Sequence, residues 1–468
     1  MLFNSYHFFA FLFIVLTLNR LFHKNNTAQK GVLLLASYYF YGQWNWTYLV
    51  LILTTTTVDF FVARRIYCRW RPRAMFATSL CVNLGILFFF KYANFIVSST
   101  NDLSQLLGHA PALSALDLLL PVGISFYTFQ SMSYTIDVYR GKIAPRRKFL
   151  DYALFVSFFP QLVAGPIIRA KTFFRQLDAP HRPAFNDIQR GVSLIILGLV
   201  KKTVFADNLA TVVDGVFNNP ASSGGWETLL GVYAFAFQIY FDFSGYSDIA
   251  IGVAELFSFK FPKNFDHPYL SLSLREFWRR WHISLSTWLR DYLYFGVGGS
   301  RGTALFTYRN IMITMLLGGL WHGASWTFVI WGAIHGIYLL IERQARSLWP
   351  AFWESKSYLA LAVRWFLTFQ LVSFAWIFFR SNSLADSLQI ISNLATIGLT
   401  DFSWAATGNL WVFVGFFMFL HWITHRVSWP ERVERTPAAV VVAVHTLAII
   451  SLILLTPDSS IPFIYFQF

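Results

Sequence analysis

Apolar residues fall in long runs broken by short polar segments, and the runs recur from one end of the chain to the other. They cover Phe8–Leu18, Gly31–Tyr41, Trp46–Val62, Met75–Val97, Leu118–Tyr139, Phe149–Val163, Gly191–Phe205 and Trp226–Phe257. They continue as Ile311–Leu320, Trp326–Ile341, Leu359–Phe379, Leu410–Ile423 and Ala438–Leu455. A helix needs roughly 20 residues to cross the hydrocarbon layer. Helices suit these runs because each satisfies its own backbone in lipid. The shorter runs cannot cross alone and are expected to be re-entrant or buried in protein. The pattern predicts an all-α polytopic membrane protein, one integral-membrane domain over residues 1–468, with about eleven crossings. No repeat and no inverted pair of halves is visible.

Composition agrees. Hydrophobic residues make up 56%, charged residues 13%, and the mean hydropathy is +0.49. A soluble chain carries about 25% charge, so no large soluble domain is expected. The net charge of +14 is assigned to cytoplasmic loops that set topology, not to nucleic acid. Such loops are "RRIYCRWRPR" (64–73) and "RGKIAPRRK" (140–148), with the regions 260–309 and 343–364. The loops 98–117, 207–225 and 381–409 are poor in basic residues and are expected outside. "HRVSWPERVER" (425–435) reads as cytoplasmic, which sends the tail, 457–468, to the outer face. The N-terminal run has no basic flank or small-residue cleavage site and reads as a retained first span. Cys68 and Cys81 form no metal or redox motif.

Polar residues at membrane depth raise a functional question by default. "REFWRRWHISLSTWLRDYLY" (275–294), read as one helix, puts Trp278, Trp281, Leu285, Trp288 and Tyr292 on one face. Arg275, Arg279, His282, Ser286 and Arg290 fall on another. This is an amphipathic interfacial helix. It either lies on anionic headgroups or binds a phosphorylated donor through Arg275, Arg279, Arg280 and Arg290, with His282 aimed at a reaction chamber. In "LLGGLWHGASWTFVIWG" (316–332), His322 sits among Gly318, Gly319, Gly323 and Ala324. It is either a hydrogen-bonded core ring or a general base at a cavity wall, since imidazole titrates near neutrality. Asp242, Ser244, Tyr246 and Asp248 interrupt a long apolar stretch. Buried carboxylates need partners, and pairing with arginines is expected, with pocket lining as the other reading. Asp291 joins this polar set. Pro121, Pro160 and Pro166 break helices where irregular backbone must be buried or line water. In "PFIYFQF" (462–468), Tyr465 is either an aromatic-belt anchor or a hydroxyl that dips back into the core. His335 and His421 read as interfacial or core residues. No metal, haem or phosphate-loop motif occurs, and no metal is expected.

The segments "YFDFSGYSD", "FPKNFDHPYLS", "REFWRRWHISLSTWLRDYLY", "GGSRG" and "LLGGLWHGASW" together resemble the membrane-bound O-acyltransferase (MBOAT) superfamily. The likeness runs along most of the chain and is strongest to the branch that acetylates alginate, cellulose and peptidoglycan. It implies a ring of helices around a thin central core where a cytoplasmic and an outer funnel meet. It implies that His322 is the family's catalytic histidine and His282 the second polar position. It implies an acetyl-CoA donor with no bound cofactor, and a multi-pass inner-membrane location. It further implies a periplasmic acetyltransferase or esterase-like partner that modifies an exopolysaccharide, with Tyr465 as a possible acyl relay. The residue pattern also suits a transporter or flippase, and other branches of the superfamily acylate lipids or proteins.

Overall fold

A computed structural model describes all residues except 112, 180–181, 399–403, 458–461 and 465–468. Among the described residues every regular element is helical, as the apolar runs predict. The chain divides into two compact units. The first is Met1–Val192 with Ile249–Pro262, and the second is Ser193–Asp248 with Lys263–Phe468.

The first unit is built from α1 (Tyr6–Leu21), α2 (Asn26–Asn45), α3 (Leu49–Tyr67), α4 (Pro72–Leu87), α5 (Ala93–Leu106) and α6 (Ile124–Tyr139). Short helices follow: α7 (Phe149–Ser157), α8 (Phe159–Leu162) and α9 (Ala170–Leu177). Helix α10 (Phe185–Leu199) begins in this unit. Polar groups pin the helices together. Asp59 on α3 accepts hydrogen bonds from Ser79 (2.6 Å) and Asn83 (2.8 Å) on α4 and from Ser131 (2.6 Å) on α6. Lys30 pairs with Asp151 at 2.9 Å. The run Leu118–Tyr139 is helical only from Ile124, because Gly123 turns the chain at φ 76°, a left-handed conformation that a side chain disfavours. The run Phe149–Val163 breaks at Phe158, as its proline suggests, and the break is buried. Its freed carbonyl at Phe155 accepts from Gln130 (2.5 Å) and Gln161 (2.8 Å). The basic loop 142–148 lines a cavity of about 800 Å³ with Lys171 and Arg175.

The second unit contains α11 (Asp207–Asn218), most of α12 (Gly225–Leu256), α13 (Leu274–Arg280), α14 (Ile283–Trp288), α15 (Ala304–His322) and α16 (Trp326–Leu348). It ends with α17 (Pro350–Glu354), α18 (Tyr358–Arg380), α19 (Leu384–Ala395), α20 (Trp404–Arg426), α21 (Trp429–Arg432) and α22 (Ala438–Leu455). Widened π turns run over Val200–Ala206 and Leu289–Tyr294. Among the described residues, four helical stretches are long and apolar enough to cross a membrane: Asn26–Tyr67, Pro72–Leu106, Tyr358–Arg380 and Ala438–Leu455. Tyr6–Leu21 is apolar but shorter.

The stretch Arg275–Tyr294 corrects the expectation of one amphipathic helix. It breaks after Arg280: Trp281 is extended and His282 is left-handed at φ 42°. The reason is a cap borrowed from an earlier loop. The Asn264 carbonyl accepts the Ile283 N–H (2.9 Å) and its side-chain oxygen accepts the Ser284 N–H (3.1 Å). The first donors of α14 are thereby satisfied without continuing α13. His282 therefore leaves the polar stripe and is fully buried.

Candidate active site

His322 is the last residue of α15, and α16 starts four residues later. Gly323 caps α15 through its N–H on Gly319 O, and the Ser325 hydroxyl accepts the Thr327 N–H to start α16. The two helices touch backbone to backbone. A Cβ at Gly319 would strike the Phe328 carbonyl and lie 3.1 Å from Gly332 Cα, and one at Gly332 would strike the Met315 carbonyl. Only glycine permits this approach. It seats the His322 ring among Trp321 (5.0 Å between centroids), Trp331 (5.1 Å) and Phe379 (5.3 Å), with 5% of the residue exposed.

That ring lines a cavity of about 160 Å³. Its apolar walls come from Trp278, Leu285, Leu289, Met315 and Trp331, and its polar lining includes Ser286, Thr314 and Arg290. Arg290 is exposed and pairs with Asp291 at 2.8 Å. The site thus combines a titratable ring at an apolar wall with a cation reachable from solvent.

His282 is held from below. Its Nδ1 lies 3.1 Å from Asn264 Oδ1, which also accepts the Ser284 hydroxyl at 2.9 Å. Asn264 Nδ2 donates to Ser247 Oγ at 3.3 Å, which makes Oδ1 the acceptor and puts the neutral ring's proton on Nδ1. The ring packs edge-on against Phe243 at 4.6 Å. His282 and His322 both contact the Trp321 indole, at 6.1 and 5.0 Å. A left-handed non-glycine residue costs about 1–2 kcal/mol, and such strain concentrates at functional sites. Asn264 is a residue that sequence reading missed. It lies 18 positions from His282 in a polar loop, with no periodicity to mark it. Asn264→Leu is expected to lower acyl-transfer kcat by about 100-fold with little change in donor KM. Asn264→Asp, which keeps the acceptor, recovers part of the rate in the same steady-state assay. Equal damage from both variants, or none, removes the positioning role.

The remaining polar residues separate into groups. Asp242 and Asp248 pair with lysines, not with the arginines expected: Lys202 meets Asp242 at 2.6 Å and Asp207 at 2.7 Å, and Lys201 meets Asp248 at 2.6 Å. The adjacent lysines lie in the π turn Val200–Ala206, and Asp242 and Asp248 lie on α12. Asp242 also accepts the Ile464 N–H at 2.8 Å. Phe463 stacks on Tyr246 at 4.5 Å and contacts Phe243 at 5.7 Å, so the tail returns to the core just before Tyr465. Tyr465 itself lies outside the described residues. Ser244 is buried beside Asp242 and does not line the His322 cavity. Arg275 and Arg279 are exposed, whereas Arg280 is committed to Glu276 (2.7 Å) and the Asp266 carbonyl (3.3 Å). His335 is a core ring packed between Trp278 (5.0 Å) and Trp331 (4.8 Å).

The sequence model of MBOAT, the membrane-bound O-acyltransferase family, matches residues 142–379. The chain is 42% identical over 417 residues to the probable alginate O-acetylase AlgI of Pseudomonas aeruginosa, covering 88% of this chain and 78% of that protein. It is 36% identical over 437 residues to the peptidoglycan O-acetyltransferase of Helicobacter pylori, covering 86% and 81%. The teichoic acid D-alanyltransferase of Streptococcus thermophilus is 33% identical over 245 residues, 48% of this chain and 57% of that protein. The matched segment contains both His282 and His322, and it favours group transfer over a transporter. With 42% identity across most of its length and a family match that spans both histidines, the chain belongs to the membrane-bound O-acyltransferase family.

Proposed function

We propose that this protein moves an acetyl group from cytoplasmic acetyl-CoA across the inner membrane for O-acetylation of an exopolysaccharide of the alginate or cellulose type. A periplasmic acetyltransferase or esterase-like partner completes delivery to the polymer. The observation that carries the reading is the apolar cavity with His322 in its wall and Arg290 in its lining. Its volume suits a short acyl group. Exposed Arg275, Arg279 and Arg290 suit the donor's phosphates, while Arg280 is tied to Glu276.

In the reaction, an acceptor hydroxyl attacks the thioester carbonyl carbon as His322 takes its proton. A C–O bond forms and the C–S bond breaks. The thiolate leaves and takes the proton from the His322 imidazolium, so the products are an ester and a free thiol. The tetrahedral oxyanion needs donors. A neutral His282, with Nδ1–H on Asn264, offers only an acceptor at Nε2. It therefore serves as a proton relay, and the oxyanion is left to the cavity lining, where Arg290 supplies a cation. Tyr465 is the proposed relay hydroxyl, supported by the burial of Phe463 and Ile464 next to it.

The test uses purified protein in nanodiscs with acetyl-labelled acetyl-CoA. Stoichiometric thiol release with label on a hydroxyl acceptor is expected, and label on Tyr465 when the partner is absent. No transfer to any hydroxyl overturns the reaction. An unlabelled Tyr465 together with an active Tyr465→Phe variant overturns the relay alone. The similarity to the Helicobacter pylori peptidoglycan enzyme supports a second polymer, and the identity of the acetylated product decides between them.

A further inference from the structure

Outside the acyl-transfer cavity, three side chains converge at the end of α20. Asp266 and His267 come from the loop before α13, and His425 comes from the last turn of α20. One carboxylate oxygen and two imidazole nitrogens lie within 4.8 Å of one another. We propose that these residues bind a divalent transition cation of the zinc class, with a fourth position open to water.

The hydrogen bonds around His267 carry the argument. The Thr424 hydroxyl donates its one proton to the Leu420 carbonyl at 2.7 Å. With the proton so assigned, its oxygen accepts the His267 Nε2–H, 3.2 Å away. That assignment leaves His267 Nδ1 facing Asp266 Oδ1 at 3.3 Å. In the neutral ring Nδ1 holds a lone pair, so two acceptors confront each other. A cation between them removes the conflict, and their spacing is the edge of a tetrahedron with bonds of about 2.0 Å. Thr424 then acts as the outer partner that fixes ring orientation, as ligating imidazoles require.

Three further features agree. His267 is left-handed at φ 48°, and such strain persists where the surroundings over-determine it, as at ligand clamps. His421 lies one helical turn before His425, and its ring sits 5.1 Å from His267, so α20 aims two imidazoles at one loop. His425 is exposed, with its ring 5.2 Å from that of His267. Two imidazoles with one carboxylate select zinc-class ions over calcium or magnesium, which prefer all-oxygen shells. An ion pair between Lys263 and Glu431 fastens the same loop to the segment after α20. A bound cation would complete that clamp two residues from Asn264, the residue that holds His282.

The competing occupant is a proton, which makes His267 an imidazolium paired with Asp266. Full-length protein carrying no polyhistidine tag is stripped with chelator in detergent and titrated with Co²⁺, followed by visible absorption, and with Zn²⁺ by calorimetry. One ion per chain is expected, with tetrahedral Co²⁺ bands. His425→Ala and Asp266→Asn should each weaken binding about 10-fold or more, while His23→Ala, a half-buried histidine elsewhere, leaves it unchanged. No stoichiometric Co²⁺ binding overturns the proposal, as does binding that His425→Ala and Asp266→Asn leave intact. The readout is binding alone, so its outcome is independent of the acyl-transfer reading.

Discussion

His322→Ala is expected to slow acyl transfer by about 10²–10⁴-fold, the range lost with a general base, while the protein accumulates and folds normally. The fold should survive because the His322 side chain adjoins an existing cavity. The hairpin that carries it is set by Gly319 and Gly332 backbone contact, not by the ring. His322→Gln should fail equally, since it keeps a polar group of similar size but cannot take the proton. Single-turnover transfer from a labelled thioester is the measurement, with donor affinity measured in parallel. The loss should fall on the chemical step and leave donor binding nearly unchanged. A variant within twofold of the parent rate would return His322 to the core and make His282 the leading base.

Lys202→Met should be the most damaging single change to stability away from that cavity. Lys202 stands between Asp242 and Asp207, at 2.6 and 2.7 Å, and all three side chains are nearly buried. Removing the cation leaves two carboxylates facing each other without compensation. Breaking a buried ion pair from one side costs about 3–5 kcal/mol. Thermal unfolding in detergent should show a large drop in midpoint, with poor yield of monodisperse protein. Replacing all three residues by apolar ones of similar volume should recover most of the loss, because a well-packed apolar cluster often matches a buried charge triad. A Lys202→Met protein as stable as the parent would show that the triad carries little of the fold's stability.

Much of the architecture was legible because lipid leaves the backbone few choices. Every apolar run from Phe8 to Leu455 contains a helix where one is expected. Phe149–Val163 breaks where Pro160 and its neighbours indicate. A cavity wall was one of two readings that the glycine-flanked setting of His322 left open, and the ring does line a cavity. The break at His282 was not legible. Helical periodicity places that residue convincingly on a polar stripe, and only the Asn264 cap from a distant loop overrides it. Lys201 and Lys202 sit inside the run Gly191–Phe205, and no local signal tells which carboxylates they meet. Local spacing fails there because a π turn alters the angular advance of the helix. The cluster of Asp266, His267 and His425 was hidden for a simpler reason: its members come from separate segments that only the fold brings together.

The return of Phe463 and Ile464 to the core has a practical consequence. Ile464 supplies a main-chain donor to Asp242, and Phe463 touches Phe243, the residue against which His282 packs. Phe463 and Ile464 are thus part of the interior rather than a disposable segment. An affinity handle, reporter domain or protease scar placed there pulls on the same packing that supports the second histidine. Activity measured on a C-terminal fusion would then report the fusion as much as the enzyme.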